Sequence, residues 1–333
     1  FSKVDFNNLE FGKTFVDYMV VADYDGEKWS DFEIKPLENL VMHPGSSALH
    51  YGQCIFEGLK AYKNEKEQIN IFRLPDNIKR INKSAERMAM PKLPEEATQA
   101  CILEYVKLQR NWIPARNQGS LYLRPFMIAT ENTLRAKPSL TYKFMVIACP
   151  VGFYYNKPLK IVLGRNFSRA AKGGVGYAKA AGNYAASFYP NNMAHQMGYD
   201  QILWTDISNG YTLEELGSAN FFYVKDNTLF TAPTKDSILA GITRDTVITL
   251  ARDKDMKVDI TLTTAEEFES LLKEGSIDCL FATGTAASIT FVNSITIDDK
   301  TYEVKSDEFE PITNLKQEMD AIKFMDQSAN YGW

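Results

Sequence analysis

Apolar residues along this chain follow two periods, and the two alternate. Val16 to Tyr24 alternates loosely and runs into Asp25-Gly26, a hairpin signal, with Trp29 to Ile34 as the returning strand. Leu49 to Tyr62 is a compact apolar segment whose plainest reading is a buried strand with a glycine bulge. Ile69 to Phe72 reads as a strand closed by Arg73. Pro75-Asp76-Asn77 then starts a helix with Ile78, Ile81, Ala85 and Met88 on one face. A second helix is predicted from Glu95 to Trp112, with Ile102, Tyr105, Leu108 and Trp112 as its inner stripe. Leu121 to Ala129 predicts a strand, and Tyr142 to Cys149 a buried one.

The second half mixes the periods again. Leu159 to Leu163 is a short strand, and Gly164 to Gly176 is glycine-rich, basic and expected to be mobile. After Tyr184 a helix should carry Phe188, Ala194 and Met197, although Pro190 inside it removes a backbone hydrogen bond. Asp200 to Thr205, the turn Asn209-Gly210 and a return from Thr212 to Val224 predict a hairpin. Leu239 to Asp245 opens a helix that runs to about Ala251. Thr264-Ala265-Glu266-Glu267 is a capping box with Gly275 as the matching stop, and Cys279 to Ala282 is a strand.

This mixture predicts an α/β fold, of the α+β type, and 333 residues allow two domains. Apolar content of 45% and charged content of 24% are ordinary for a globular protein. No stretch approaches the roughly 18 apolar residues of a membrane span. A net charge of −5 and the absence of a basic patch argue against nucleic acid as a partner. Cys54, Cys101, Cys149 and Cys279 are scattered through apolar surroundings and read as reduced core thiols. His43, His50 and His195 lie too far apart for a metal motif, so no metal is expected. The chain begins at Phe1 rather than Met, which leaves room for a removed targeting peptide; the expected location is cytoplasmic.

One lysine stands out. Lys179 lies in Gly174-Val175-Gly176-Tyr177-Ala178-Lys179-Ala180-Ala181-Gly182-Asn183-Tyr184, with no other Lys, Arg, Asp or Glu between Gly173 and Tyr199. Small residues on both sides let another molecule approach closely. Burial disfavours a charged amine, and a neutral amine is a nucleophile toward an aldehyde, so Schiff-base chemistry is the first candidate. Taken alone, the segment is more simply read as a surface lysine in a flexible Gly/Ala loop, since most lysines are solvated. The nucleotide patterns fail: Ala180 stands where a Walker motif needs Ser or Thr, and Lys179 stands where a dinucleotide motif needs its third glycine.

The lysine segment resembles the cofactor-lysine motif of branched-chain amino-acid aminotransferases, which are class-IV pyridoxal-phosphate enzymes. Further segments are similar to the same family, in family order, from Tyr51 to Ala286. Tyr51-Gly52-Gln53-Cys54-Ile55-Phe56-Glu57-Gly58-Leu59-Lys60-Ala61 is similar to its first signature, Phe72-Arg73 to its phosphate arginine, and Tyr122-Leu123-Arg124-Pro125 to its substrate strand. Cys149-Pro150-Val151-Gly152 resembles its interdomain link. Glu215-Leu216-Gly217-Ser218-Ala219-Asn220-Phe221, Gly241-Ile242-Thr243-Arg244 and Gly284-Thr285-Ala286 complete the set. Ala240 replaces a frequent proline, and Ala287 and Thr290 stand where some vertebrate members carry a redox Cys pair.

The resemblance implies a two-domain class-IV (fold-type IV) architecture: a smaller α/β domain over residues 1–149, a linker over 150–158, and a larger domain over 159–333 that carries the lysine. It implies pyridoxal 5′-phosphate on Lys179, with Arg73, Ile242, Thr243 and Thr285 toward the phosphate end and Ser218 also among the cofactor-binding residues. Tyr184 is implied at the ring oxygen and Glu215 at the ring nitrogen, where a carboxylate keeps the ring an electron sink. Glu214 reads as a solvated neighbour. Tyr51, Phe56, Tyr122, Arg124, Thr285 and Ala286 are implied to meet the substrate. The reaction implied is reversible transfer of an amino group between leucine, isoleucine or valine and 2-oxoglutarate, by at least a homodimer. D-amino-acid aminotransferase and aminodeoxychorismate lyase share the Lys and Glu and are the nearest alternatives. A non-catalytic pyridoxal-phosphate binding protein is the alternative of another kind.

Overall fold

The computed structural model describes residues 4–152, 157–326 and 331–333. The chain separates into two compact units: Phe1–Tyr154 with Ala178–Gly182 and Ala321–Trp333, and Tyr155–Tyr177 with Asn183–Asp320. These limits differ from division at residues 149 and 159. The short piece around Lys179 groups with the first unit because its backbone pairs there, and the tail from Ala321 packs there too. Phe153, Tyr154, Tyr155 and Asn156, read as part of a linker, lie outside the described residues.

The first unit is a seven-stranded sheet with helices. Its strands are β1 (Tyr18–Tyr24), β2 (Glu33–Pro36), β3 (Cys54–Phe56), β4 (Leu59–Lys63), β5 (Ile69–Ile71), β6 (Ser120–Ala129) and β7 (Tyr142–Val151). Its helices are α1 (Ser47–Tyr51), α2 (Leu74–Arg87) and α3 (Glu95–Leu108). The order is β2-β1-β7-β6-β4-β5, with β3 also on β6. Ile78, Ile81 and Ala85 of α2 and Ile102, Tyr105 and Val106 of α3 join Leu59, Leu121, Leu123 and Phe144 in one core. Inner residues three and four apart on the helices meet alternate residues on the strands, which is what the two sequence periods require.

The segment from Leu49 to Tyr62 is not one strand. It becomes the short helix α1, then β3, a break at Glu57-Gly58, and β4. The cause lies on the neighbouring strand. Phe56 pairs with Phe126 and Leu59 with Leu123, so Arg124-Pro125 faces the break. Proline has no N–H for a ladder, and a central strand accommodates it where its neighbour interrupts pairing. The Glu57 N–H donates to the Pro125 carbonyl at 2.7 Å and closes the gap. The Glu57 carboxylate, only 1% exposed, takes two 2.7 Å hydrogen bonds from Arg80 on α2, which anchors the break from behind.

The second unit holds β8 (Leu159–Leu163), β9 (Gln201–Asp206), β10 (Thr212–Leu216), β11 (Asn220–Lys225), β12 (Thr228–Thr231), β13 (Lys257–Ile260), β14 (Cys279–Gly284), β15 (Ser288–Ile297) and β16 (Lys300–Glu303). The sheet runs β10-β9-β8-β15-β14-β11-β12-β13, and β10 also pairs with β11. That extra pairing closes six strands into a ring, and its register is Glu215↔Asn220. The return predicted from Thr212 to Val224 is therefore two strands around a turn, closed by the Leu216 N–H on the Ala219 carbonyl at 2.8 Å. Helix α6 (Ala265–Glu274) carries the full capping box at Thr264 and Glu267 and ends on Gly275 in the left-handed region. Its Phe268 meets Phe221 and Tyr223 in the core.

Three helices remain: α4 (Ala181–Gln196), α5 (Ile242–Asp253) and α7 (Glu310–Lys323). Helix α4 departs from expectation. Its buried residues are Asn183, Ser187, Pro190 and Ala194, whereas Phe188, Tyr189 and Met193, with Met197 just beyond, are exposed. The small residues fall on one face at helical spacing, and Pro190 lies on it.

Candidate active site

Lys179 is held by its backbone. Its carbonyl accepts the Phe56 N–H at 3.0 Å, its own N–H donates to Ser84 Oγ at 2.9 Å, and Ala180 bridges to Ile55. The flanking Ala178 and Ala180 are buried, and the side chain between them is half-buried. Its Nζ lies 4.8 Å from the centroid of the Phe56 ring. The small residues that mark this segment in the sequence are thus what lets it seat flat against β3.

Around the same ring the first unit gathers three of the expected substrate residues. The Arg124 guanidinium lies 4.6 Å from the Phe56 ring centroid and 5.3 Å from that of Tyr122. Arg124 Nη2 donates to the Tyr122 hydroxyl at 3.0 Å, and Arg124 Nε is buried with no hydrogen-bond partner. Gly58 makes the room: a Cβ there would stand 2.2 Å from the Tyr122 hydroxyl. Tyr51 is apart from this cluster, 46% exposed on α1 with its hydroxyl donating to the Leu134 carbonyl. Arg73 caps α2 with φ of 55°, is buried, donates from Nε to Asp76 at 2.7 Å and stacks on Trp333 at 4.9 Å.

The second unit organises its expected residues around the seam of the ring. Glu215 is 4% exposed. It pairs with Arg169 at 2.6 Å and accepts Asn220 Nδ2 at 2.9 Å and the Leu239 N–H at 3.2 Å. Asn220 Nδ2 also donates to the Leu239 carbonyl, so the acid, its strand partner and the approach to α5 form one network. Helix α5 starts at Ile242-Thr243 behind Gly241 and has no side-chain cap. A Cβ at Gly241 would lie 2.0 Å from Asn220 Oδ1, so glycine lets the helix start come this near the Asn220 amide. Asn220 pairs with Thr283, and a Cβ at Gly284 would meet the Ser218 carbonyl at 3.1 Å. This places the Ser218 turn beside the Gly284-Thr285-Ala286 turn. Ser218 is exposed, and Thr285, Ala286 and Tyr184 are half-buried.

Glu214 corrects the sequence expectation. It is not solvated but 4% exposed, like its neighbour. Burial pushes its carboxyl up to about 7, against a hydrogen bond from the Ser237 hydroxyl that favours the charged form. Two adjacent acids can both be buried because the ring has structure on both sides of β10.

The family whose model matches residues 54–295 is described as amino-transferase class IV. A branched-chain-amino-acid transaminase of Bacillus subtilis (strain 168) is 42% identical over 304 residues, covering 90% of this chain and 85% of that protein. The chain belongs to the class-IV aminotransferases, in their branched-chain amino-acid group. Among solved structures, the branched-chain amino acid aminotransferase of Escherichia coli matches with a TM-score of 0.76 at 26% identity, covering 95% of this chain and 97% of that one. The branched-chain aminotransferase of the thermophilic archaeon Thermoproteus uzoniensis, solved with norvaline, matches with a TM-score of 0.78 at 25% identity, covering 93% and 96%. The cofactor of this aminotransferase is pyridoxal 5′-phosphate.

Within this aminotransferase, sequence reasoning missed Arg169. The stretch from Gly164 to Gly176 reads as mobile, yet Arg169 is buried and ion-paired, and also donates to the Ser237 carbonyl. The available signal was chemical: a buried acid needs a cation, and this arginine is in the segment leading to the lysine. Ser84, which fixes the Lys179 backbone, gave no signal, since one serine on a helix looks like any other.

Proposed function

We propose that this aminotransferase exchanges the amino group between leucine, isoleucine or valine and 2-oxoglutarate on its pyridoxal 5′-phosphate. The observation that carries the reading is the Phe56 cluster, where an aromatic wall, a half-buried arginine with a buried Nε and the candidate lysine share one ring. The residues fit the cofactor. An amine on a fixed backbone suits an aldehyde, an uncapped helix start behind glycine suits a phosphate, and a buried carboxylate suits a protonated ring nitrogen. Lys179 would hold the cofactor, with Tyr184 at the ring oxygen and Glu215 at the ring nitrogen. Arg73, Ile242, Thr243 and Thr285 would lie toward its phosphate, with Ser218 also against the cofactor. When bound, pyridoxal phosphate supplies the electron sink for the substrate's α-carbon. Lys179 Nζ moves the α-proton as general base and acid. Phe56, Tyr122 and Arg124 would line the substrate side chain, with Tyr51 coming from α1, and Thr285 and Ala286 would meet the substrate carboxylate.

Dual specificity tests this. One site must accept leucine, which ends in methyls, and glutamate, which ends in a carboxylate. A buried carboxylate without a partner is prohibitively costly. Arg124 has an unpartnered Nε for it, while Tyr122 keeps part of the guanidinium satisfied when leucine binds. Arg124→Leu is expected to raise KM for glutamate and 2-oxoglutarate about ten- to a hundredfold, the worth of roughly 1.5–3 kcal/mol for a charge-assisted hydrogen bond. The KM for leucine should move far less. Equal losses in separate half-reactions would make Arg124 structural.

The same reading includes at least a homodimer. Leu40, Val41, Leu49 and Leu134 of the first unit are exposed, as are Phe188, Tyr189, Met193 and Met197 of the second. Apolar side chains of this size left in water support a second copy as their cover. Sedimentation equilibrium should give twice the 37.7 kDa chain mass or more; a monomer at micromolar concentration would remove the dimer.

A further inference from the structure

Trp333 lies far along the chain from every residue placed at the cofactor, yet its ring touches one of them. The segment from Ala321 packs within the first unit. Asn70 on β5 donates from Nδ2 to the Lys323 carbonyl at 3.0 Å, and the Phe324 ring stands edge-on to Tyr62 of β4 at 5.0 Å. Further along, Trp333 meets Phe72 edge-on at 6.0 Å and stacks on Tyr331 at 4.3 Å. Aromatic neighbours thus hold the indole where the Arg73 guanidinium lies over it, 4.9 Å from the ring centroid. Arg73 is a residue that needs holding. It is buried, and its backbone sits at φ of 55°, a region that side chains other than glycine seldom enter.

We propose that Trp333 is a positioning residue for the cofactor phosphate: its indole fixes the plane of the Arg73 guanidinium and so raises affinity for the anion. This rests on the placement of Arg73 toward the phosphate given above. The donors of a guanidinium all lie in its plane, so a ring against its face orients the group without consuming a donor. Tryptophan is the aromatic residue that attracts a cation most strongly. Asp76, 2.7 Å from Nε, fixes one edge of the same group. Face and edge together determine where the terminal nitrogens point. A long side chain that must be ordered as its ligand arrives loses affinity, and one ordered beforehand does not. The indole also excludes water from one face, which strengthens the attraction between guanidinium and phosphate.

The test is cofactor affinity, by equilibrium dialysis of the full chain against pyridoxal 5′-phosphate and, separately, against pyridoxal, which lacks the phosphate. Trp333→Ala should raise the Kd for pyridoxal 5′-phosphate about three- to thirtyfold, the range of a cation–π contact from exposed to desolvated, and leave that for pyridoxal unchanged. Trp333→Phe should recover part of the loss. Trp333→Leu, which keeps apolar bulk without a π face, should behave like Trp333→Ala and serves if the alanine variant folds poorly. Arg73→Ala should lose more than either, and adding Trp333→Ala to it should cost nothing further, because the indole acts through the arginine. Equal losses for both ligands, or additive losses in the double variant, would make the indole a structural support and overturn the proposal. So would an unchanged Kd in Trp333→Ala beside a weakened Arg73→Ala. If Arg73→Ala itself binds the phosphate form as tightly as the wild type, the placement of Arg73 fails and the proposal fails with it, so the two failures are told apart.

Discussion

Lys179→Ala is expected to lower turnover by more than about a thousandfold while leaving the fold intact. Proton transfer by a positioned side chain contributes about 10²–10⁴-fold by itself, and in the proposed mechanism the same amine also holds the cofactor. The fold should survive because two contacts that seat this segment are made by the residue's backbone: the Phe56 N–H on its carbonyl and its N–H on Ser84. Both remain in alanine. Borohydride treatment of the wild type should fix the cofactor to the chain, and peptide mapping should find the label on Lys179. A label on Lys172 instead would relocate the site. Near-normal turnover in the Lys179→Ala enzyme would remove Lys179 from the chemistry.

Glu215→Ala should damage stability and catalysis together, which distinguishes it from the lysine. Removing one partner of a buried ion pair leaves the other charge uncompensated and typically costs about 3–5 kcal/mol. Arg169 would be that charge, 8% exposed. Loss of one preorganised electrostatic contact costs turnover about 10²–10³-fold. A second change, Arg169→Met, should recover much of the stability and none of the turnover. The checks are chemical denaturation midpoints of the two single variants and the double variant, and steady-state rates in saturating cofactor. If Glu214→Ala proves the more damaging to turnover, the wrong acid has been placed at the ring nitrogen.

What the sequence revealed follows the range over which each feature is decided. The start of α2 at Leu74-Pro75, the capping box at Thr264 and the stop at Gly275 are settled within a few residues, and the structure has them. The break at Glu57-Gly58 is settled by Pro125, a partner far along the chain, so the segment read as one strand with a glycine bulge. The face that α4 buries was hidden for a related reason. Its large apolar residues suggested the inner side, but the available space suits Ser187 and Ala194. The candidate site residues could be named as a set from the sequence because chemistry restricts which types can serve. Their supports, Arg169 and Ser84, were not, because a supporting contact constrains position and leaves residue type nearly open.

The clamped backbone at Lys179 has a mechanical consequence. A flexible arm transfers a load reproducibly only if its fulcrum stays still. Two hydrogen bonds and the bridge at Ala180 fix the fulcrum, and the four-carbon stem beyond it supplies the swing. Reach and accuracy, which usually trade against each other, are thereby assigned to different parts of one residue.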